Sequence, residues 1–244
     1  MNPAIETCGL SKTYGSLKAV DDLNLTIGQG QLFALLGVNG AGKTTAIKML
    51  CGLIRPSAGT ARLAGFDVIS DPLQVKALTG LSPQETAIAM QLSVRENLEF
   101  ICGIYGYCRR DAAAKARHIM EQMGLEALAD TKARTLSGGW QRRLSIAMAL
   151  ITDPQILFLD EPTLGLDILA RRELWQVIEA LKGRTTIVLT THYLEEAEAL
   201  ADRIGIMTKG CLTACGTAAE LTAQAGCGRF EDAFVALCQG GDKL

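Results

Sequence analysis

The sequence predicts an α/β protein: a largely parallel sheet core interrupted by a helical insertion. Three observations carry this. Two short continuous apolar runs, Leu32-Phe33-Ala34-Leu35-Leu36 and Ile156-Leu157-Phe158-Leu159, read as strands buried on both faces. Beyond Pro154, strand-like and helix-like segments alternate, which implies parallel pairing through crossover helices. Between them, from about Gln84 to Thr152, the pattern is helical throughout.

Taken in order, residues 4–35 read as strands, with Leu23, Leu25 and Ile27 alternating with Asn24 and Thr26 as in a sheet with one wet face. The run Leu32–Leu36 ends at a glycine-rich stretch, Gly37–Gly42, and Thr44–Leu50 follows as a mostly buried helix carrying Ala46, Ile47, Met49 and Leu50. In the middle segment, Ser93-x-x-Glu96 is a capping box opening a helix that can run towards Tyr107. A second helix spans about Asp111–Met123 and stops at Gly124. A third follows Ser137-Gly138-Gly139, with Leu144, Ala147, Met148 and Ile151 on one face. After the Ile156–Leu159 strand come a helix with Leu174, Trp175, Val177, Ile178 and Leu181 ending at Gly183, a strand Thr186–Thr190, a helix Leu194–Ala201 and a strand near Ile204–Met207. The sequence shows no internal repeat and no low-complexity segment.

At 244 residues the chain can bury a substantial core, and 48% apolar residues is ordinary for a globular protein. No apolar run reaches the roughly 18 residues that read as a membrane span. The start, Met1 to Glu6, lacks the basic-then-apolar pattern of a signal peptide. A net charge of −2 gives no reason to expect nucleic acid as a partner. Eight cysteines are scattered without a Cys-x-x-Cys pair, so reduced thiols are expected rather than a disulfide frame or a zinc site.

Two constellations carry chemistry. Gly37-Val38-Asn39-Gly40-Ala41-Gly42-Lys43-Thr44 fits G-x-x-x-x-G-K-[ST], a phosphate-binding loop between a buried strand and a helix. A triphosphate needs many donors at close range, and glycines let backbone N–H groups approach it. The helix N-terminus adds positive potential, Lys43 can reach the β- and γ-phosphates, and Thr44 offers a hard oxygen to Mg²⁺. The second is Asp160-Glu161 at the end of the Ile156–Leu159 strand, where an open α/β sheet presents its ligand crevice. Alone it could be an acidic turn before Pro162. Beside a phosphate loop, Asp160 reads as the Mg²⁺ partner and Glu161 as the group polarising the attacking water.

Leu136-Ser137-Gly138-Gly139-Trp140-Gln141-Arg142-Arg143 resembles the signature of the ATP-binding subunits of ABC transporters, and the other motifs follow in that family's order along nearly the whole chain. The resemblance implies a P-loop NTPase core of RecA-like type with an N-terminal antiparallel β-subdomain and an inserted α-helical subdomain. It implies one cassette over 1–244: a core lobe of about 1–84 and 153–210, a helical insertion of about 85–152 and a short tail of about 211–244. Its ligands would be ATP and Mg²⁺.

By the same resemblance, Tyr14 stacks on adenine, and Gly37, Asn39, Gly40, Ala41, Gly42, Lys43, Thr44 and Thr45 hold ATP. Gln84 contacts Mg²⁺ and the attacking water, Leu164-Gly165-Leu166-Asp167 crosses a dimer, and His192 holds the γ-phosphate. Ser137, Gly138 and Gly139 would close on ATP bound to a second subunit. Read alone, Tyr14 would be a packing residue and Gln84 a solvated one. His118 reads as structural, and Arg142-Arg143 and Arg171-Arg172 as solvated helix faces. Trp140 and Met148 depart from the family pattern, which more often has a smaller residue and an arginine there.

The stretch Thr191–Ile204 looks most similar to ATPases paired with ABC-2-type export permeases, and the short tail with Phe230-Glu231-Asp232-Ala233-Phe234 is consistent with that group. The expected partners are a second ABC ATPase subunit, identical or paralogous, and a separate transmembrane permease, with no nucleic acid. The expected location is the cytoplasmic face of the cell membrane. The alternatives are an importer ATPase and a soluble cassette ATPase acting on ribosomes or DNA.

Overall fold

The computed structural model describes residues 3–240, so the readings that fall on Met1, Asn2 and positions 241–244 lie outside it. In chain order the elements are β1 (Ile5–Tyr14), β2 (Leu17–Ile27), β3 (Leu32–Leu36), α1 (Lys43–Leu50), β4 (Ala58–Leu63), β5 (Phe66–Asp67), α2 (Pro72–Leu78) and β6 (Thr79–Ser82). Then come α3 (Val94–Ile104), α4 (Arg109–Met123), α5 (Gly138–Leu150), β7 (Ile156–Asp160), α6 (Ile168–Glu179) and β8 (Thr186–Thr191). The chain continues through α7 (Leu194–Leu200), β9 (Arg203–Thr208), β10 (Cys211–Gly216), α8 (Ala218–Gln224) and α9 (Phe230–Gly240).

Two sheets result. One is antiparallel, in the order β2-β1-β4-β5. The other runs β10-β9-β3-β8-β7-β6, parallel except where β10 closes its edge antiparallel to β9. The α/β class and its three expected parts are therefore present. The continuous apolar runs have a direct cause in the packing. On β3, Leu32, Ala34 and Leu36 face a core built with α3–α9, whereas Phe33 and Leu35 face a second core shared with β1, β2, β4 and α1. A strand covered on both faces favours apolar side chains at successive positions rather than at alternate ones.

The helix boundaries follow their caps. Ser93 and Glu96 form the reciprocal capping box that opens α3. That helix stops at Ile104, short of Tyr107, because Tyr105 and Gly106 turn the chain away. Gly124 ends α4 in the left-handed conformation with φ 64°, which glycine adopts without strain. Helix α6 ends at Glu179 rather than at Gly183. The intervening residues form a turn, and the Gly183 N–H donates to the Gly30 carbonyl (3.1 Å). The three helices α3–α5 lie between β6 and β7, and the edge strand β10 and helices α8 and α9 pack back onto the core beside β9 and α7.

Candidate functional site

The phosphate loop connects β3, an interior strand between β8 and β9, to α1. Its path leaves no room for side chains at two glycines. A Cβ at Gly37 would lie 2.4 Å from the Met207 carbonyl oxygen. One at Gly42, where φ is +102°, would lie 2.2 Å from that of Ala19. Gly42 is the N-cap of α1 and no side chain caps the helix, so its first N–H groups stay free for an anion. Lys43 is buried, and its ammonium donates to the carbonyls of Gly37 (2.7 Å) and Val38 (3.2 Å).

The two carboxylates close the other side. Asp160 ends β7, and its Oδ1 accepts from the hydroxyls of Thr44 (3.1 Å) and Thr190 (2.5 Å). Thr190 also relays to Glu161, whose N–H donates to the Thr190 hydroxyl (3.0 Å) and carbonyl (3.1 Å). Glu161 has φ +49°, a left-handed conformation that costs a side-chain-bearing residue about 1–2 kcal/mol. The turn aims its carboxylate at two cations or donors. One oxygen lies 3.3 Å from Lys43 Nζ, and the other 2.6 Å from His192 Nδ1. Tyr193 packs beside the His192 ring, with centroids 4.1 Å apart.

These groups border one cleft of about 690 Å³, within the range of small-molecule sites. Its walls bring together Tyr14, Asn39, Gly40, Ala41, Gly42, Lys43, Thr44, Thr45, Gln84, Glu161 and His192, with Leu17, Lys18, Ala19, Leu164 and Lys209. Gly37 and Asp160 stand behind this wall, bonded to Lys43 and Thr44. Tyr14 is 48% exposed at the end of β1, with Lys12 Nζ 5.2 Å from its ring centre. Ser137, Gly138 and Gly139 do not join. They form the start of α5, with Ser137 and Gly138 exposed and Gly139 partly covered, and Ser137 and Gly139 border a separate small cleft with Trp140, Arg143, Ala170, Glu173 and Leu174.

Both departures from the family pattern have structural places. Trp140 is partly buried, with the Arg143 guanidinium 4.6 Å from its ring centre. Met148 borders a groove with Cys51, Leu53, Ile101 and Tyr105.

The arginine readings need correction. Arg142 is 4% exposed, and its guanidinium reaches the carbonyls of Pro83, Gln84 and Glu161. Arg143 is mostly covered and bonds Met123 and Glu173, and Arg171 lies 4.4 Å over the Tyr193 ring. Only Arg172 has the exposed setting expected of all four. Helix α5 is buried on nearly every side, so a charged residue on it need not face water. Thr190 was also missed. Its signal was the pairing of β8 with β7, which sets Thr190 against Asp160.

Comparison with known proteins identifies the family. A family model described as ABC transporter matches residues 20–164. The chain is 43% identical over 229 residues to a daunorubicin resistance ATP-binding protein, DrrA3, of Streptomyces coeruleorubidus, covering 93% of this chain and 72% of the relative. It is 42% identical to the daunorubicin/doxorubicin resistance ATP-binding protein DrrA of Streptomyces peucetius, covering 91% and 68%. It is also 42% identical to the human phospholipid-transporting ATPase ABCA3, covering 86% of this chain and 12% of that one. A solved ATP-binding subunit of an ABC transporter superposes with a TM-score of 0.84 at 27% identity, covering 96% and 99%. With a triphosphate-sized cleft, a glycine cradle and paired carboxylates in one place, the chain belongs to the ABC transporter family as an ATP-binding, ATP-hydrolysing cassette.

Proposed function

We propose that this cassette drives an ABC-2-type export permease by pairing, on ATP, with a second cassette. The observation that carries the catalytic part is the setting of Glu161, whose carboxylate is held between Lys43 and His192 at the mouth of the phosphate loop. In this reading Lys43 and the free N–H groups of the loop and α1 neutralise the β- and γ-phosphates. Tyr14 stacks on the adenine. Glu161 takes the proton of the attacking water, and His192 holds that carboxylate in place and faces the γ-phosphate. Thr44 and Asp160 form a hard-oxygen pair of the kind Mg²⁺ prefers, with Gln84 on the same cleft. Mg²⁺ would be held there and would supply neutralising charge to the phosphate oxygens.

Pairing is supported by the start of α5. Ser137 is at the N-cap yet makes no capping bond, and it lies outside the ATP cleft of its own chain. Its hydroxyl and the free N–H groups behind it suit the γ-phosphate of a nucleotide held by a partner. The core lobe of about 1–84 and 153–210 and the insertion of about 85–152 would then act as the two parts of one cassette, ahead of a tail of about 211–244. Among the described residues no helix is long and apolar enough to cross a membrane. The reading assigns that path to a separate permease and places the cassette at the cytoplasmic face. The drug-resistance names of the relatives favour export.

Glu161→Gln tests both parts. It should slow ATP turnover by about 10²–10⁴-fold while ATP still binds. With ATP it should also elute as a dimer on size exclusion with light scattering. Full-rate turnover overturns the role of Glu161, and an ATP-loaded monomer overturns the pairing. A permease co-purifying from solubilised membranes supports the transport reading. A ribosomal or DNA partner instead would overturn it.

A further inference from the structure

Arg142 sits in the second turn of α5, the helix whose first residues are Gly138 and Gly139. Its Nη1 donates to the Pro83 carbonyl (2.6 Å), and its Nη2 donates to the carbonyls of Gln84 (2.7 Å) and Glu161 (3.2 Å). These carbonyls belong to two segments far apart in sequence. Pro83 and Gln84 start the connection from β6 to α3, and Glu161 follows β7. Burial pulls the guanidinium pKa down, and the nearby carboxylates of Asp160, Glu196 and Glu161 oppose that pull. A buried arginine is retained where its planar fork satisfies several acceptors at once, a geometry one ammonium cannot reproduce.

The third bond explains how Glu161 keeps its left-handed backbone. Its N–H is held by Thr190 and its carbonyl by Arg142, so the residue is fixed on both sides of the strained torsion. The other two bonds fix the backbone that presents Gln84 to the same cleft.

We infer that Arg142 is a positioning residue for hydrolysis: it locks the Gln84 loop to the backbone of Glu161, and both to the helix that begins at Ser137–Gly139. A shift of α5 on closure of the paired cassettes is then passed to both water-handling groups together. The inference rests on the role proposed above for Glu161.

The test uses the full chain in Mg·ATP turnover, comparing Arg142→Lys, Gln84→Ala, the double variant and Glu161→Gln, with melting temperatures for each. Lysine keeps the charge and most of the volume, so R142K should fold even where R142A does not. R142K should lower kcat by roughly 10–100-fold, as expected of sub-ångström misplacement, with KM changed less than about threefold. Combining it with Gln84→Ala should slow turnover by clearly less than the product of the two single effects, because the part of Arg142's role that runs through the Gln84 loop is already lost in that background. An unchanged kcat in R142K, fully multiplicative effects, or a kcat loss accompanied by a comparable rise in KM and a fall in melting temperature would each overturn the inference. Normal turnover by E161Q removes its premise along with the functional reading. A slow E161Q beside multiplicative R142K and Q84A effects overturns the role of Arg142 alone.

Discussion

At the scale of single residues, the carboxyl of Glu196 is a buried acid that the proposed chemistry leaves unused. It lies in the first turn of α7, just after His192, and accepts from the Trp175 indole of α6 (3.1 Å). Burial pushes its pKa above the ordinary 4.5, and the negative charge of Glu161 adds to this, against hydrogen bonds from Thr191 and Trp175. Glu196 is in turn one of the carboxylates whose charge favours the protonated Arg142 guanidinium. A raised carboxyl pKa means that the folded chain keeps its proton after the unfolded chain has lost it. Stability therefore falls as pH rises from about 4.5 through the raised folded value. Glu196→Gln keeps an acceptor for Trp175 and has no proton to lose. Its melting temperature should vary less with pH over that window and should equal or exceed the parent's at pH 8. A uniform drop at every pH would show that the hydrogen-bond geometry of the carboxylate matters more than its ionisation.

At the scale of elements, two serines at helix N-caps have opposite uses. Ser93 accepts from the Glu96 N–H and, with that glutamate reaching back, closes the first turn of α3. Ser137 holds the same position on α5 and makes no such bond. Ser93→Ala should therefore lower the unfolding free energy by about 1 kcal/mol, measured by urea titration. Ser137→Ala should leave it within about 0.5 kcal/mol of the parent while reducing ATP turnover. An equal stability loss in both would make Ser137 a structural cap and remove it from the nucleotide site. The same contrast shows what sequence could and could not reveal. The α3 cap, the glycine loop and strands β3 and β7 announce themselves locally, by spacing or by an unbroken apolar run. Strand β4, Ala58-Gly59-Thr60-Ala61-Arg62-Leu63, has no such run and is a strand because it lies along β1. Strands β6 and β10 are likewise defined by their partners, β7 and β9. Arg142 was hidden for a related reason. The rule that charge marks the wet face fails on a helix buried nearly all round, and the three carbonyls it meets come from other segments.

At the scale of the whole molecule, the strand order accounts for which residues meet. Strands β3, β8, β7 and β6 are consecutive neighbours, and their carboxyl ends lead to Lys43, His192, Glu161 and Gln84 in turn. Four loops side by side thus build the cleft from positions more than a hundred residues apart. The start of α5 belongs to the connection between β6 and β7 and borders a different cleft, so one chain does not supply both halves of the proposed site. The exposed Ile168 and Leu169, which open α6 beyond Leu164–Asp167, offer apolar surface for a second copy.

A two-fold pair of such chains makes a definite complementation prediction. Lys43→Ala removes the phosphate-side cation and spares α5, whereas Ser137→Ala does the reverse. Each variant alone should hydrolyse ATP poorly, since every composite site in its homodimer carries the lesion. In a mixed dimer both lesions would fall on one site, because in the proposed pair the phosphate loop of the first chain faces the signature of the second. The other site is intact. Random pairing makes half of the dimers mixed with one good site of two, so an equimolar mixture should recover about a quarter of parental turnover if the sites act independently. Turnover of the mixture should also rise more steeply than linearly with total protein until pairing saturates. Recovery of nothing, from two variants that each still fold and still pair, would mean that Ser137 does not complete a site across the dimer.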